Sequence, residues 1–410
     1  MTPIGVQVRM YDVGFGDCFL LTIQYRKAPP RYVLIDFGTT AHPREREFEL
    51  LLPIAEDIAA RTAGKLHAIV ATHRHRDHIG GFVPTPARTA PGAVIARLQP
   101  ELVVQPWTEA PDLPEDALSP AQTSARAVSL LRLVDQQSEM HPLMRQEILT
   151  LAQRNLPNRA AIRQLAGLGQ QQRYVRAGQR SGLESVLPGV KVSVLGPVAP
   201  RARRSRSQVA SRPPLATDQA LGLPAAARSL DQPLFPDHPL WRGVATLPTR
   251  WLRNRIHDLH AEQILALTRA FDADINNTSV VLLIEAAGQR LLFTGDAEEE
   301  SWTAMLARKG VAQKLGGVHL YKVGHHGSAN GTPDHLWHRL PREGGLISLL
   351  STRNGVHGQS ERGTEVPRQS LVEKLAQESH LLDTRDLRRR RLMSVAVELT
   401  PGHPPLTLME

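Results

Sequence analysis

Thr72-His73-Arg74-His75-Arg76-Asp77-His78-Ile79-Gly80-Gly81 places three imidazoles and a carboxylate within six positions, from His73 to His78. Residues 66–72 ahead of it are apolar and of strand length, and the closing glycine pair suits a tight turn. Imidazole and carboxylate are the ordinary protein donors for zinc, and they also suit manganese and iron. From an extended loop His73 and His75 point the same way, while Asp77 and His78 turn toward a second position nearby. A polar surface turn is the plain alternative, and the strand on one side and the glycines on the other speak against it.

Upstream, Val6-Gln7-Val8-Arg9-Met10 alternates at strand period, residues 18–25 form a second strand and residues 31–35 a third that ends in Asp36-Phe37-Gly38. Asp12-Val13-Gly14-Phe15-Gly16-Asp17 joins the first two with the glycines of a tight turn. Residues 45–63 are helical, with Phe48, Leu51, Leu52, Ile54, Ala55 and Ile58 apolar and Pro53 marking a kink or a new start. Downstream, residues 280–284 and 290–294 predict a hairpin around Gly288. Residues 318–323 and 346–351 read as short apolar strands, residues from 371 as a helix and 394–399 as a strand.

Two further strand ends carry polar groups. Leu291-Leu292-Phe293-Thr294-Gly295-Asp296 sets a carboxylate after an apolar strand, where it can bridge two cations. Tyr321-Lys322-Val323-Gly324-His325-His326-Gly327-Ser328 sets two histidines after another. Either can be a ligand, and Lys322 reads as a strand residue and no more.

The rest of the 410-residue chain reads differently. Residues 1–98 and 275–410 look like the two halves of one α/β core, with residues 191–198 a core strand between them. Residues 99–190 read as a helical insertion, residues 121–155 carrying its apolar stripe. Residues 199–274 read as an arginine-rich linker and helix insertion. Within it, residues 201–214 have almost nothing to bury, and serve equally as a solvated linker or a nucleic-acid arm. Residues 251–271 predict an amphipathic helix on which His257 and His260 face solvent.

Hydrophobic residues at 41% and charged residues at 22% are ordinary for a soluble globular protein, and aromatics at 4% leave the core to Leu, Val, Ile and Ala. A net charge of +9 resting on arginine favours an anionic partner, nucleic acid first. The single cysteine, Cys18, excludes an intramolecular disulfide, fits a reducing cytoplasm and sits in an apolar run as a small hydrophobe. The opening residues lack a secretory apolar segment, and no stretch reaches the ~20 apolar residues that span a bilayer, so neither export nor a membrane is expected.

Taken in order, the motifs resemble those of the metallo-β-lactamase superfamily, and most closely the hydrolase domain of the ComEC-type competence proteins and its soluble relatives. That group shows a DVGxGD turn, a strand ending in Asp, HxHxDHxGG, NNxS, TGD and HHGS. Here these are Asp12 to Asp17, Asp36, His73 to Gly81, Asn276 to Ser279, Thr294 to Asp296 and His325 to Ser328. The resemblance covers about the first 100 residues and the stretch from about 275 to 360. It implies an αββα sandwich with helical insertions and one or two divalent ions, Zn²⁺ or Mn²⁺. It implies His73 and His75 on the first ion, Asp77, His78 and His325 (or His326) on the second, and Asp296 bridging. Asp36 and Asn277 would support the ligands from behind. Many members carry a further histidine between the HxHxDH and TGD motifs; this chain has the asparagine pair there instead, which leaves the first ion's shell and the metal count open. His357, in Asn354-Gly355-Val356-His357-Gly358, resembles a segment that ends in His-Pro in those relatives, without the proline, and is a candidate to protonate a leaving group.

The expected chemistry is hydrolysis by metal-activated water, with Asp77 orienting or deprotonating that water. The first expectation is a phosphodiesterase, a nuclease on DNA or RNA. The second is a small-molecule hydrolase such as a lactonase, thioesterase or cyclic-nucleotide phosphodiesterase. The third is a metal-stabilised binding module without turnover.

Overall fold

Among the described residues, alternating side chains sort fourteen strands into two sheets that share one core. The computed structural model describes residues 1–40, 45–84, 90–111, 145, 148–149, 158–198, 269–270, 272–341, 345–358 and 363–410, and is of mixed α/β class. The strands are Pro3–Tyr11 (β1), Cys18–Tyr25 (β2), Ala28–Phe37 (β3), Ala68–Val70 (β4), Leu102–Pro106 (β5), Gln171–Val175 (β6), Lys191–Gly196 (β7), Val281–Ala286 (β8), Gln289–Phe293 (β9), Leu320–Lys322 (β10), Ile347–Leu350 (β11), His380–Asp383 (β12), Ser394–Leu399 (β13) and Leu406–Met409 (β14). One sheet runs β14-β13-β1-β2-β3-β4-β5-β6, and the other β12-β11-β10-β9-β8-β7.

Period-two alternation decides which face each residue serves. Val8, Phe19, Val33 and Val70 of the first sheet join Leu282, Phe293, Leu320 and Leu349 of the second in one buried cluster, so the two sheets face each other. Their neighbours point the other way. Leu20, Leu34 and Ile69 pack against Leu51 and Ile58 of the helix Glu45–Arg61 (α1), Ile95 and Leu165. Leu283, Leu292 and Tyr321 pack against Trp302, Leu315, Trp337 and Leu375. Helices therefore cover both outer faces. Each fully buried Leu, Val or Phe contributes about 1.5–3 kcal/mol, which outweighs the modest propensities of such short strands.

Both sheets change sense midway. The pairs β1–β2 and β2–β3 are antiparallel, and β3–β4, β4–β5 and β5–β6 are parallel. In the second sheet β7–β8 and β8–β9 are antiparallel, and β9–β10, β10–β11 and β11–β12 parallel. Parallel strands put their carboxyl ends on one side, where open α/β sheets bind ligands. β3 ends with Asp36 and Phe37, and β4, β9, β10 and β11 lead into Thr72, Thr294, Val323 and Ser351. There the Val280 amide donates to the Thr72 carbonyl at 2.8 Å and ties one sheet to the other.

The hairpin around Gly288 forms as expected, between β8 and β9. Three readings are corrected. Residues 99–190 are not wholly a helical insertion: β5 and β6, from either end of that stretch, extend the first sheet. The run Leu102-Val103-Val104, closed by Pro106, is too short for alternation to show, and Gln171-Gln172-Arg173-Tyr174 is polar because β6 is an edge. No new helix starts at Pro53, which lies inside α1. Phe48 is exposed, while Leu51, Ile54, Ala55 and Ile58 carry the apolar face. The apolar stripe read over 121–155 falls outside the described residues except for Arg145, Ile148 and Leu149. The arginine-rich stretch 201–214 and the helix read over 251–271, with His257 and His260, fall outside them except for Arg269 and Ala270. Among the described residues no helix is long and apolar enough to cross a membrane.

The turn between β1 and β2 is pressed against the histidine loop. The Asp17 amide donates to the Asp77 carbonyl at 2.9 Å, and Gly16, at φ +147°, leaves no room for a side chain: an added Cβ would meet the carbonyl oxygens of Gly38 and Asp77. Gly16→Ala is expected to cost about 1–3 kcal/mol in urea unfolding, from backbone strain and overpacking. An unchanged unfolding midpoint would contradict this packing.

Candidate metal centre

Asp36 organises the site from the end of β3. Buried, and held at φ +56°, its carboxylate accepts the Thr72 amide at 2.7 Å and the Thr72 hydroxyl at 2.7 Å, and faces Nδ1 of His78 at 2.8 Å. Burial pushes this carboxyl above its ordinary range, and the His78 ring partly offsets that. An acceptor surrounded by donors fixes their protons. His78 presents its Nδ1–H to Asp36 and its Nε2 inward. Because the Thr72 hydroxyl is spent on Asp36, its oxygen is free to accept from Nδ1 of His73, 3.1 Å away, which turns Nε2 of His73 inward as well.

The other two rings follow the same rule. Nδ1 of His326 lies 3.1 Å from the Ser351 carbonyl, which can only accept. Nε2 of His75 lies 3.5 Å from Oδ1 of Asp272. The inward nitrogens then meet in two pairs: His73 Nε2 and His75 Nδ1 at 3.0 Å, and His78 Nε2 and His326 Nε2 at 3.2 Å. Asp296 lies between the pairs. Its Oδ2 is 3.1 Å from His78 Nε2, 3.3 Å from His326 Nε2 and 4.0 Å from His73 Nε2. Oδ2 of Asp77 is 3.3 Å from His326 Nε2.

These separations suit a cation at the centre. Donors about 2.0–2.1 Å from a tetrahedral metal sit about 3.3 Å apart. Oδ2 of Asp296, fully buried, is close to two imidazole nitrogens and makes no hydrogen bond of good geometry with either. Asp17, His78, Asp296 and His326 each offer a ligand atom within 4.8 Å of the others. Orientation separates Asp17 from the rest. It faces the outer nitrogens, 3.6 Å from Nδ1 of His78 and 3.6 Å from Nδ1 of His326, and holds Lys322 Nζ at 2.5 Å.

Charge gives the same result. Asp17, Asp36, Asp77 and Asp296 are all buried, and the buried Lys322 lies against Asp17 and Asp296. Burying uncompensated charge is costly, so the cluster gathers protons. Burial alone would lower the His78 and His326 pKa values. Asp296, with Asp36 and Asp17, outweighs it and raises His78 well above its usual value; Asp296 and Asp17 raise His326 to about 9. Burial would raise Asp296, but His326, His78 and Lys322 hold it well below the usual carboxylate range. His73, buried beside His78 and His75, is pushed down and stays neutral.

Of the residues anticipated from sequence, His73, His75, Asp77, His78, Asp296, Asp36 and His326 come together. His325 does not join them. The adjacent rings diverge because both residues are left-handed, at φ +46° and +50°, a conformation costly for non-glycine residues. His325 instead lies 3.4 Å from Glu298, 3.3 Å from Asn330 and 3.4 Å from Asn276. The Asn277 side chain accepts the Glu298 amide at 3.1 Å, ahead of the helix Glu299–Leu306, and Asn276 is the buried member of the pair. His357 stands one ring away from His326, with Phe15 between them at 4.6 and 4.4 Å.

Lys322 is more than a strand residue. Its ammonium lies 3.0 Å from the Gly295 carbonyl and 3.4 Å from Asp296, and Asp17 and Asp296 hold its proton against burial. A lysine inside a three-residue buried strand requires a counter-charge, and that was the available signal. Asp17 was visible only as the end of a glycine turn. Cys18 is buried, and burial lifts its thiol well above the usual range, as an inert core residue should be.

Compared with protein-family models and with curated proteins, the sequence matches none.

The proton on His326 makes a prediction for the metal-free protein. A histidine whose folded pKa is raised to about 9 adds stability that is complete below about 6.5 and is lost as pH rises through 9. Urea unfolding of chelator-treated protein should therefore show stability falling between pH 6.5 and 9.5, and the slope should flatten in His326→Gln. A stability that is level or rising across that window would contradict the charge balance described above.

Proposed function

We propose that this protein is a metal-dependent hydrolase of the metallo-β-lactamase fold whose substrate is a phosphodiester of DNA or RNA. The observation that carries the proposal is the convergence of four imidazole nitrogens, each with its other nitrogen facing an outer acceptor, on the two sides of Asp296. The αββα arrangement is supported by two facing sheets with helices outside them. The order of motifs supports the nearer likeness to the ComEC-type hydrolase domain, and the net charge of +9 supports an anionic polymer as substrate.

In this reading His73, His75 and Asp296 hold one divalent ion, Zn²⁺ or Mn²⁺, and Asp77, His78, His326 and Asp296 hold a second. Bound there, such ions supply Lewis acidity toward a phosphoryl oxygen and lower the pKa of water. The protein's own groups do the rest. Asp36, the Ser351 carbonyl and Thr72 fix the tautomers and so keep the ligating nitrogens turned inward. Lys322 neutralises Asp17 and one oxygen of Asp296, which leaves the other oxygen to the centre. Asp77 orients the attacking water and accepts its proton, and His357, beside Phe15 at the rim, protonates the leaving oxygen.

Labelled single- and double-stranded DNA and RNA, incubated with the protein and Mn²⁺, Zn²⁺ or Mg²⁺, test this. Cleavage should require the ion. It should fall roughly 1,000-fold or more in His75→Ala/Asp77→Ala, the several kcal/mol that cation chemistry contributes. His326→Ala should lose one bound ion, and His325→Ala should keep both. Stoichiometric metal with no cleavage of any nucleic acid would move the substrate to a small-molecule ester, lactone or cyclic nucleotide. Binding of nucleic acid without turnover of anything would leave a metal-stabilised binding module.

A further inference from the structure

Three of the four inward-facing histidines take their outer partner from the carboxyl ends of parallel strands: Thr72 for His73, Asp36 for His78 and the Ser351 carbonyl for His326. His75 takes its partner from elsewhere. Its Nε2 faces Oδ1 of Asp272 at 3.5 Å, and both side chains are buried, His75 fully and Asp272 to about nine-tenths. Asp272 belongs to none of the recurring motifs. Residues 272–276 are helical and lie ahead of β8. One turn along, at i+4, Asn276 shares its face of the helix. The Asn276 amide nitrogen lies 3.5 Å from Oδ2 of Asp272 and donates to Glu298 at 2.7 Å. The two carboxylate oxygens thus have separate neighbours, His75 for one and Asn276 for the other.

We propose that Asp272 is the positioning residue of the first cation site: it holds the N–H of His75 on Nε2, so that Nδ1 is the nitrogen offered beside Nε2 of His73. A neutral imidazole has one N–H, and whichever nitrogen faces an acceptor keeps it. In the other tautomer a hydrogen would point at His73 across 3.0 Å, and Nε2 would face the Asp272 carboxylate without a proton to offer it. A carboxylate partner also makes the ring a more basic ligand. The consequence is that the first site depends on a turn lying outside the histidine loop, whereas the second is built without it. The proposal rests on the reading of His73 and His75 as ligands, and the test separates the two.

Metal-free full-length protein is titrated with Zn²⁺ by calorimetry and with Co²⁺ by visible absorption, for wild type, Asp272→Ala and Asp272→Asn. Wild type should show two binding events. In Asp272→Ala one event should weaken about 10–100-fold, the usual effect of removing such a partner, with a changed Co²⁺ spectrum for that site alone. Asp272→Asn, which has the same shape and retains an acceptor oxygen, should recover part of the loss and guards against a folding defect. Two wild-type events in Asp272→Ala would overturn the positioning role and leave the ligand reading intact. Complete loss of one event in both variants alike would overturn it in favour of Asp272 as a direct ligand. No uptake by wild type would sink the reading of the site and this proposal with it.

Discussion

Asp296 is the group on which the site depends. Its carboxylate is fully buried, one oxygen faces Lys322, and the other sits among imidazole nitrogens at 3.1 to 4.0 Å. An ionised carboxylate in such a place needs positive charge, and among the described residues Lys322 is the lysine beside it. Protons on His78 and His326 make up part of the deficit, and those protons occupy the nitrogens that a cation would use. Proton and metal would therefore compete for the same atoms, as they do wherever ligands must be deprotonated.

The fold exists to bring distant loops to that carboxylate. Asp36, the histidine loop, Asp296, the His325-His326 pair and Ser351 come from five separate strands, and all five strand ends lie on one side because their sheets are parallel there. The two sheets are joined at the site itself, through the Thr72 carbonyl and the Val280 amide. Gly295, at φ +52°, lets Asp296 turn back toward Thr72; an added Cβ would come within 3.0 Å of the Thr72 and Ser279 side chains. The close approach of those two side chains, with the positive φ, explains why glycine precedes the carboxylate.

Much of this was legible in the sequence, and the reason is local. His73, His75, Asp77 and His78 share one loop, and Asp296 and the His325-His326 pair each follow a strand and a glycine. Their likeness to one another could be read without knowing where the strands go. What could not be read depends on distance. Asp17, Lys322, Asp272 and Asn276 acquire meaning only from partners far along the chain, as with Lys322 and Asp17 at 2.5 Å or His75 and Asp272 at 3.5 Å. The choice between His325 and His326 rests on two left-handed residues, which no spacing rule anticipates. The strands β5 and β6 were missed because one is very short and the other is a polar edge.

Anomalous diffraction from crystals grown with Zn²⁺, collected on both sides of the zinc absorption edge, tests the central claim most directly. The account predicts two peaks flanking Oδ2 of Asp296, one bounded by His73 and His75, the other by Asp77, His78 and His326. A single peak on the outer side, among Asp17 and the Nδ1 atoms of His78 and His326, or no peak within reach of Asp296, would contradict it.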